Sequence, residues 1–203
     1  MIHIIDYGLG NIGAFLTLYN RLNVPAKACK SADELKSADH ILLPGVGSFD
    51  HAMDLLDKSG MRHTLEELVI DKKIPVLGVC VGMQILGDRS EEGVAHGLGW
   101  VPGTIRSLST RFENQSLPLP HMGWNDVEST RPVALFNGLV DPRYYFLHSF
   151  FFDNSNPEDS AATANYGQSF TCVVNRGNVW GVQFHPEKSH HFGMALLKNF
   201  SEL

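Results

Sequence analysis

The most constraining feature of this chain is an apolar run, Ile74-Pro75-Val76-Leu77-Gly78-Val79, that passes without a break into Cys80-Val81-Gly82. A strand that is apolar on both faces has to be covered on both sides, as at the centre of a parallel sheet flanked by helices. The residues before it keep the same rhythm. Ile2–Ile5 reads as a strand closed by the glycine-rich Asp6-Tyr7-Gly8-Leu9-Gly10-Asn11. Ile12, Phe15, Leu16, Tyr19 and Leu22 then fall on one face of a helix. A second strand over 25–29 precedes a short helix over 31–37, where Ser31 and Glu34 form a capping-box pattern. Residues 40–43 read as a third strand that turns at Pro44-Gly45-Val46-Gly47, and helices follow near 50–57 and 61–71. Strands alternating with helices predict a parallel α/β sheet with helices on both faces.

The second half has another texture. Short alternating runs at 100–106, 133–136, 144–151, 161–164, 169–174 and 179–184 are separated by Asn, Asp, Gly and Pro. They predict antiparallel strands and hairpins, one turning at Arg176-Gly177-Asn178. Residues 153–159 read as a solvated acidic loop. A closing helix over 190–202 is expected to bury Phe192, Ala195, Leu196 and Phe200. No repeat or linker interrupts the 203 residues, so one mixed, mainly parallel α/β domain over 1–203 is expected.

With 43 % apolar and 19 % charged residues the chain can build an ordinary core. Its formal charge of −6 argues against generic attraction to nucleic acid or anionic lipid. No apolar run approaches the roughly 18–20 residues of a membrane span. The start, MIHIIDYG, lacks the basic region of a signal peptide. Three widely spaced cysteines, Cys29, Cys80 and Cys172, fit neither a disulfide framework nor a zinc site. A reduced, cytoplasmic protein without metal or cofactor is expected.

Gly78-Val79-Cys80-Val81-Gly82 has the form G-x-C-x-G between a buried strand and a helix expected over Met83 to Leu86. It is the cysteine counterpart of a nucleophile elbow, in which flanking glycines let neighbouring backbone close in. Such a turn places the sulfur at the carboxyl edge of the sheet, where α/β folds bind ligands. It also sets the sulfur at a helix amino terminus, which favours thiolate. A free cysteine is otherwise usually a small buried apolar group, and Cys29 and Cys172, in plain strand-like runs, read that way.

A nucleophilic thiol needs a base, and the base an orienting carboxylate. Ten histidines single out none by number. His185-Pro186-Glu187 follows an apolar strand; Pro186 holds His185 extended, and positions 185 and 187 then project to one side. On residues alone a surface histidine beside a glutamate reads equally well. A metal site from His185, His190 and His191 does not fit ligand spacing.

Together these residues resemble the class I (triad-type) glutamine amidotransferases. Asp6 through Asn11, Pro44-Gly45-Val46-Gly47-Ser48-Phe49, Pro120-His121-Met122-Gly123-Trp124-Asn125, Tyr145-Phe146-Leu147-His148-Ser149 and Phe184 through Ser189 sharpen the likeness. They are similar to the glutaminase subunits of histidine biosynthesis, from residue 2 to about 200. The resemblance implies a flavodoxin-like fold in which Cys80 is nucleophile, His185 base and acid, and Glu187 its orienter. It implies an oxyanion site from the backbone of Val46, Gly47 and Val81, with Val46 or Gly47 acting once that peptide is turned. It implies that Gly47, Gln84 and the backbone of His148, Ser149 and Phe150 hold glutamine. His121, Trp124, Asn125, Tyr145 and Lys188 would face a partner near an ammonia passage; by position alone Trp124 reads equally as a core aromatic and Lys188 as a solvated charge. That partner is expected to be a (β/α)8-barrel cyclase, bound as a heterodimer, that joins ammonia to a phosphoribosyl-imidazole precursor.

Val81, Ser48 and Phe150 depart from the commonest family residues but keep backbone roles. Gly97-Leu98-Gly99-Trp100 and Lys188 through Gly193 are similar instead to paralogues that feed a sugar-modifying amidotransferase of bacterial surface polysaccharides, an alternative partner. A cysteine peptidase or chaperone-like protein of related fold would not need Gln84 or the PHMGWN segment. A non-catalytic binding subunit would be expected to lack Cys80, His185 or Glu187.

Overall fold

The computed structural model describes residues 1–110 and 117–203. In chain order the elements are β1 (Ile2–Ile5), α1 (Ile12–Arg21), β2 (Ala26–Cys29), α2 (Ala32–Leu35), β3 (His40–Gly45), α3 (Phe49–Lys58), α4 (Arg62–Glu66), β4 (Val76–Cys80) and α5 (Val81–Gln84). There follow β5 (Arg89–Ser90), β6 (Gly103–Ser107), β7 (His121–Asp126), β8 (Glu128–Ser129), β9 (Arg143–His148) and β10 (Phe150–Asn154). The chain closes with β11 (Ser160–Tyr166), β12 (Gln168–Arg176), β13 (Val179–Val182) and α6 (His190–Phe200).

One sheet runs in the order β2-β1-β3-β4-β13-β12-β10-β6-β5. Its first five strands are parallel, and β4, buried at all five positions, lies at the centre as its double-sided apolar pattern requires. Each fully buried valine or leucine there contributes about 1.5–3 kcal/mol. The following strands run antiparallel from β13 through β12 and β10 to β6, and β5 then pairs in parallel with β6. β7 and β9 form a separate antiparallel ribbon. The mixed, mainly parallel sheet agrees with the sequence reading. No helix among the described residues is long and apolar enough to cross a membrane.

Local signals explain the helix starts. Asn11 caps α1 by accepting from the Ala14 N–H at 3.2 Å. Ser31 caps α2, but Glu34 returns its carboxylate to the Lys30 N–H at 2.7 Å, one residue earlier than a capping box would have it. Five expectations need correction. The stretch 61–71 is not one regular helix: α4 gives way to a π-helical turn over Glu67–Asp71. Val133–Phe136 is not a strand; Ala134–Phe136 is a single 3-10 turn packed against α6. The run 144–151 breaks into β9 and β10 at Ser149. Residues 153–159 are no mere acidic loop, since β10 extends into them and Asp159 is buried opposite Arg176 at 3.7 Å. In α6 it is Leu196, Leu197 and Phe200 that are fully buried, with Phe192 and Ala195 only partly so.

Candidate active site

Cys80 ends β4 with φ 56° and ψ −112°, in the left-handed half of backbone space that a non-glycine residue enters at a cost of about 1–3 kcal/mol. The turn is held by close backbone contact. A Cβ at Gly82 would fall on the Leu43 carbonyl of the neighbouring strand, and one at Gly78 would strike the Gly82 carbonyl. Helix α5 starts at Val81, two residues before the expected position, so the turn contains nothing but the cysteine. Cys80 is 5 % exposed and lines a cavity.

His185 lies just past β13, which pairs in parallel with β4, so both residues emerge from the same edge of adjacent strands. Its backbone N–H donates to Tyr145 O at 2.8 Å, and Ser189 Oγ donates to its carbonyl at 2.6 Å. Its Nδ1 is 2.8 Å from Glu187 Oε1, with both side chains about 4 % exposed. The ring and Cys80 line one cavity. Burial works against charge on the imidazole, but hydrogen bonds to Cys80 and Glu187 and the charges on both outweigh it and push His185 up to about 10. The arrangement favours an imidazolium beside the sulfur, with Glu187 fixing the ring.

Around this pair is a cavity of about 290 Å³. Its walls include Val46, Gly47, Val81, Gln84, His148, Ser149, Phe150 and Lys188, so every residue assigned to the oxyanion site or to glutamine lines one space with Cys80 and His185. Gly47, at φ +91°, and the exposed Val46 form the rim after β3. Tyr7 braces that rim from behind: its hydroxyl donates to Pro44 O at 2.8 Å. The two glycine-rich segments read separately in the sequence therefore meet in space.

The residues expected at a partner face divide. Trp124, 42 % exposed, stacks flat on His190 at 5.4 Å and lies edge-on to Tyr145, so it is no core aromatic. Lys188 lines the cavity with Nζ 5.6 Å from the Tyr145 ring centroid. Asn125 is half-buried, and His121 does not reach the surface at all: strand alternation along β7 turns Met122 and Trp124 outward and buries His121 against His148. Gly97-Leu98-Gly99-Trp100 contributes nothing to the cavity wall. Its backbone is tied to Asp88, Ile85, Gly87 and Leu86.

Three residues escaped the sequence reading. Gln183, fully buried, receives Gln84 Nε2 on its Oε1 at 3.1 Å and sends its own Nε2 toward Cys80 Sγ at 3.8 Å. A glutamine inside an apolar strand was the signal for it. Glu92 lines the cavity while its Oε2 accepts the Phe49 N–H at 2.8 Å, capping α3. Nothing in the sequence distinguishes it from Glu91. Ser189, whose Oγ also accepts from Tyr145 N at 3.0 Å, holds the chain after the histidine. Among the described residues no group of three His, Cys, Asp or Glu side chains is placed to hold a metal.

The family model for "Glutamine amidotransferase class-I" matches residues 2–202. The chain is 59 % identical over 204 residues to the imidazole glycerol phosphate synthase subunit HisH of Bdellovibrio bacteriovorus, covering all of both chains. It is 52 % identical to the protein of that name from Leptospira interrogans, again over all of both. Among solved structures, one described as a glutamine amidotransferase superposes with a TM-score of 0.75 at 16 % identity, covering 100 % of this chain and 99 % of that one. At that identity the likeness bears on fold alone.

Proposed function

This chain belongs to the class I glutamine amidotransferases, and from that premise we propose how its site works, as one amidotransferase domain over residues 1–203. It is the glutaminase subunit of an imidazole glycerol phosphate synthase: it hydrolyses glutamine to glutamate and supplies the ammonia to histidine biosynthesis. The observation that carries the site assignment is that Cys80 and His185 line one cavity while Glu187 Oε1 lies 2.8 Å from the imidazole Nδ1.

The Cys80 sulfur attacks the side-chain carbonyl carbon of glutamine, and the carbonyl electrons move onto oxygen. Backbone N–H groups of Val81 and of the Val46–Gly47 segment receive that oxyanion. His185 gives its proton to the departing nitrogen, which leaves as ammonia, and a glutamyl thioester remains on Cys80. His185, now neutral, takes a proton from water, whose oxygen attacks the thioester carbonyl; glutamate leaves and the imidazolium–thiolate pair is restored. Gln84 and the 148–150 backbone hold the substrate, and Glu92, whose other oxygen has no hydrogen-bond partner among the described residues, suits its α-ammonium group.

Ammonia set free in water is protonated and loses its nucleophilicity, so the acceptor has to dock over the cavity. The β7–β9 ribbon supports that reading: Trp124, Tyr145 and Lys188 stand beside the mouth. We assign this face, near an ammonia passage, to a (β/α)8-barrel cyclase bound as a heterodimer in the cytoplasm.

Glutamate release, measured alone and with the cyclase, tests the proposal. Slow turnover alone, strong stimulation by the cyclase and loss of both in Cys80→Ala are expected. Stimulation by a sugar-modifying synthase and none by the cyclase would overturn the partner; turnover surviving Cys80→Ala would overturn the site.

A further inference from the structure

Beneath the β7–β9 ribbon runs a chain of hydrogen bonds that has only one self-consistent direction. The Phe150 carbonyl can only accept, so His148 Nδ1, 2.7 Å away, is its donor. A neutral His148 then offers Nε2 as acceptor, and His121 Nδ1, at 2.9 Å, carries the proton between them. His121 Nε2 is left as acceptor, with Asn125 Nδ2 at 3.3 Å. The other N–H of that amide donates to Asn165 O at 2.7 Å, and Asn125 Oδ1 accepts the Asp126 N–H at 2.9 Å. Turning the Asn125 amide over would set oxygen against oxygen and N–H against N–H. A proton added to either ring places two donors face to face. Burial keeps both rings neutral, pulling His121 down to about 4 and His148 to about 3.

The inner end of this chain is the glutamine cavity. Phe150 O also accepts from Gln84 Nε2 at 3.4 Å, and Gln84 connects through Gln183 to Cys80. The outer end is on the strand that exposes Trp124. The His121 ring is stacked between Phe146, at 4.9 Å, and Tyr166, at 4.1 Å, where an apolar ring would pack equally well. A histidine at this place therefore contributes something packing does not require.

We propose that His121 and His148 are positioning residues for glutamine: their directed hydrogen bonds fix the Phe150 carbonyl and the Gln84 amide that shares it, and tie both to β7 at Asn125. The proposal rests on the glutaminase reading above. Its consequence is that a change at Asn125 reaches the substrate pocket without touching Cys80 or His185.

The test is protection of Cys80 from iodoacetamide by glutamine in the full chain, which gives an apparent dissociation constant without a measurement of turnover. Melting temperature and the unprotected alkylation rate report folding separately. His121→Phe keeps the ring stack and removes both hydrogen bonds, and glutamine should bind about tenfold more weakly, the usual effect of orphaning a buried polar partner. His121→Asn loses the stack but places an amide N–H where Nδ1 stood, and binding should return to within about threefold of the parent. Phe binding as tightly as the parent, or Asn as weakly as Phe, overturns the proposal. Should His121→Phe fail to fold, Asn125→Ala decides: weaker protection supports the chain, and unchanged protection overturns it. If the parent chain itself is not protected, the glutaminase reading falls and this proposal with it.

Discussion

Glu187 Oε1 lies 2.8 Å from His185 Nδ1, with both groups buried, in a dipeptide spacing that Pro186 holds rigid. The carboxylate thereby fixes which ring nitrogen faces the sulfur. Glu187→Gln should preserve the fold and lower kcat on the order of 10²–10⁴-fold, as loss of an orienting carboxylate does elsewhere, with KM little changed. Steady-state kinetics in the assembled enzyme measure this. An equal rise in KM would place Glu187 on the substrate instead.

The same pair sets a pH window. His185 is held near 10 in the fold against an ordinary value of 6.5. A group raised on folding contributes its stability fully below the ordinary value, and that contribution is lost as pH climbs through the raised one. Urea denaturation at pH 7 and pH 10 should show a larger loss in the parent than in Glu187→Gln, which removes one cause of the shift. Equal losses would contradict the coupling.

At the elbow the usual ranking of alanine and glycine should invert. Glycine ordinarily costs roughly 0.5–1 kcal/mol relative to alanine in regular structure. At Cys80 the backbone sits at φ 56°, ψ −112°, so Cys80→Gly is expected to be more stable than Cys80→Ala by about 1 kcal/mol. Both should be inactive. Calorimetry on the two inactive variants decides it, and alanine being the more stable would contradict the strain.

Tyr7→Phe removes the hydroxyl that holds Pro44 O behind the oxyanion rim. The expected stability cost is about 1 kcal/mol. The expected kinetic effect is a several-fold fall in kcat with KM nearly unchanged, because the rim meets the oxyanion more strongly than the ground-state amide. A rise in KM alone would assign the brace to binding.

Much of this was legible in the sequence because the signals were local. The double-sided apolar run fixed β4 at the sheet centre, and G-x-C-x-G marked the turn that follows. His185 and Glu187 could be paired because two extended residues point the same way. What was hidden depends on distant contacts. β13 has the same short alternating texture as the antiparallel strands around it, yet pairs in parallel with β4; nothing within 179–182 encodes that neighbour. β7 was obscured by the Pro, Gly, Asn and Asp of PHMGWND, residues that read as a loop until β9 supplies a partner strand. Among ten histidines, only the fold reveals that His121 and His148 face each other in the interior.

The most direct test of the central claim is the site at which an electrophilic glutamine analogue attaches to the chain. Three cysteines compete, and Cys29 and Cys172 are buried away from the cavity. Peptide mapping by mass spectrometry should find the label on Cys80 alone, formed at a rate that glutamine suppresses and that His185→Ala lowers. Label on Cys29 or Cys172, or labelling of Cys80 that glutamine leaves untouched, would contradict the assignment.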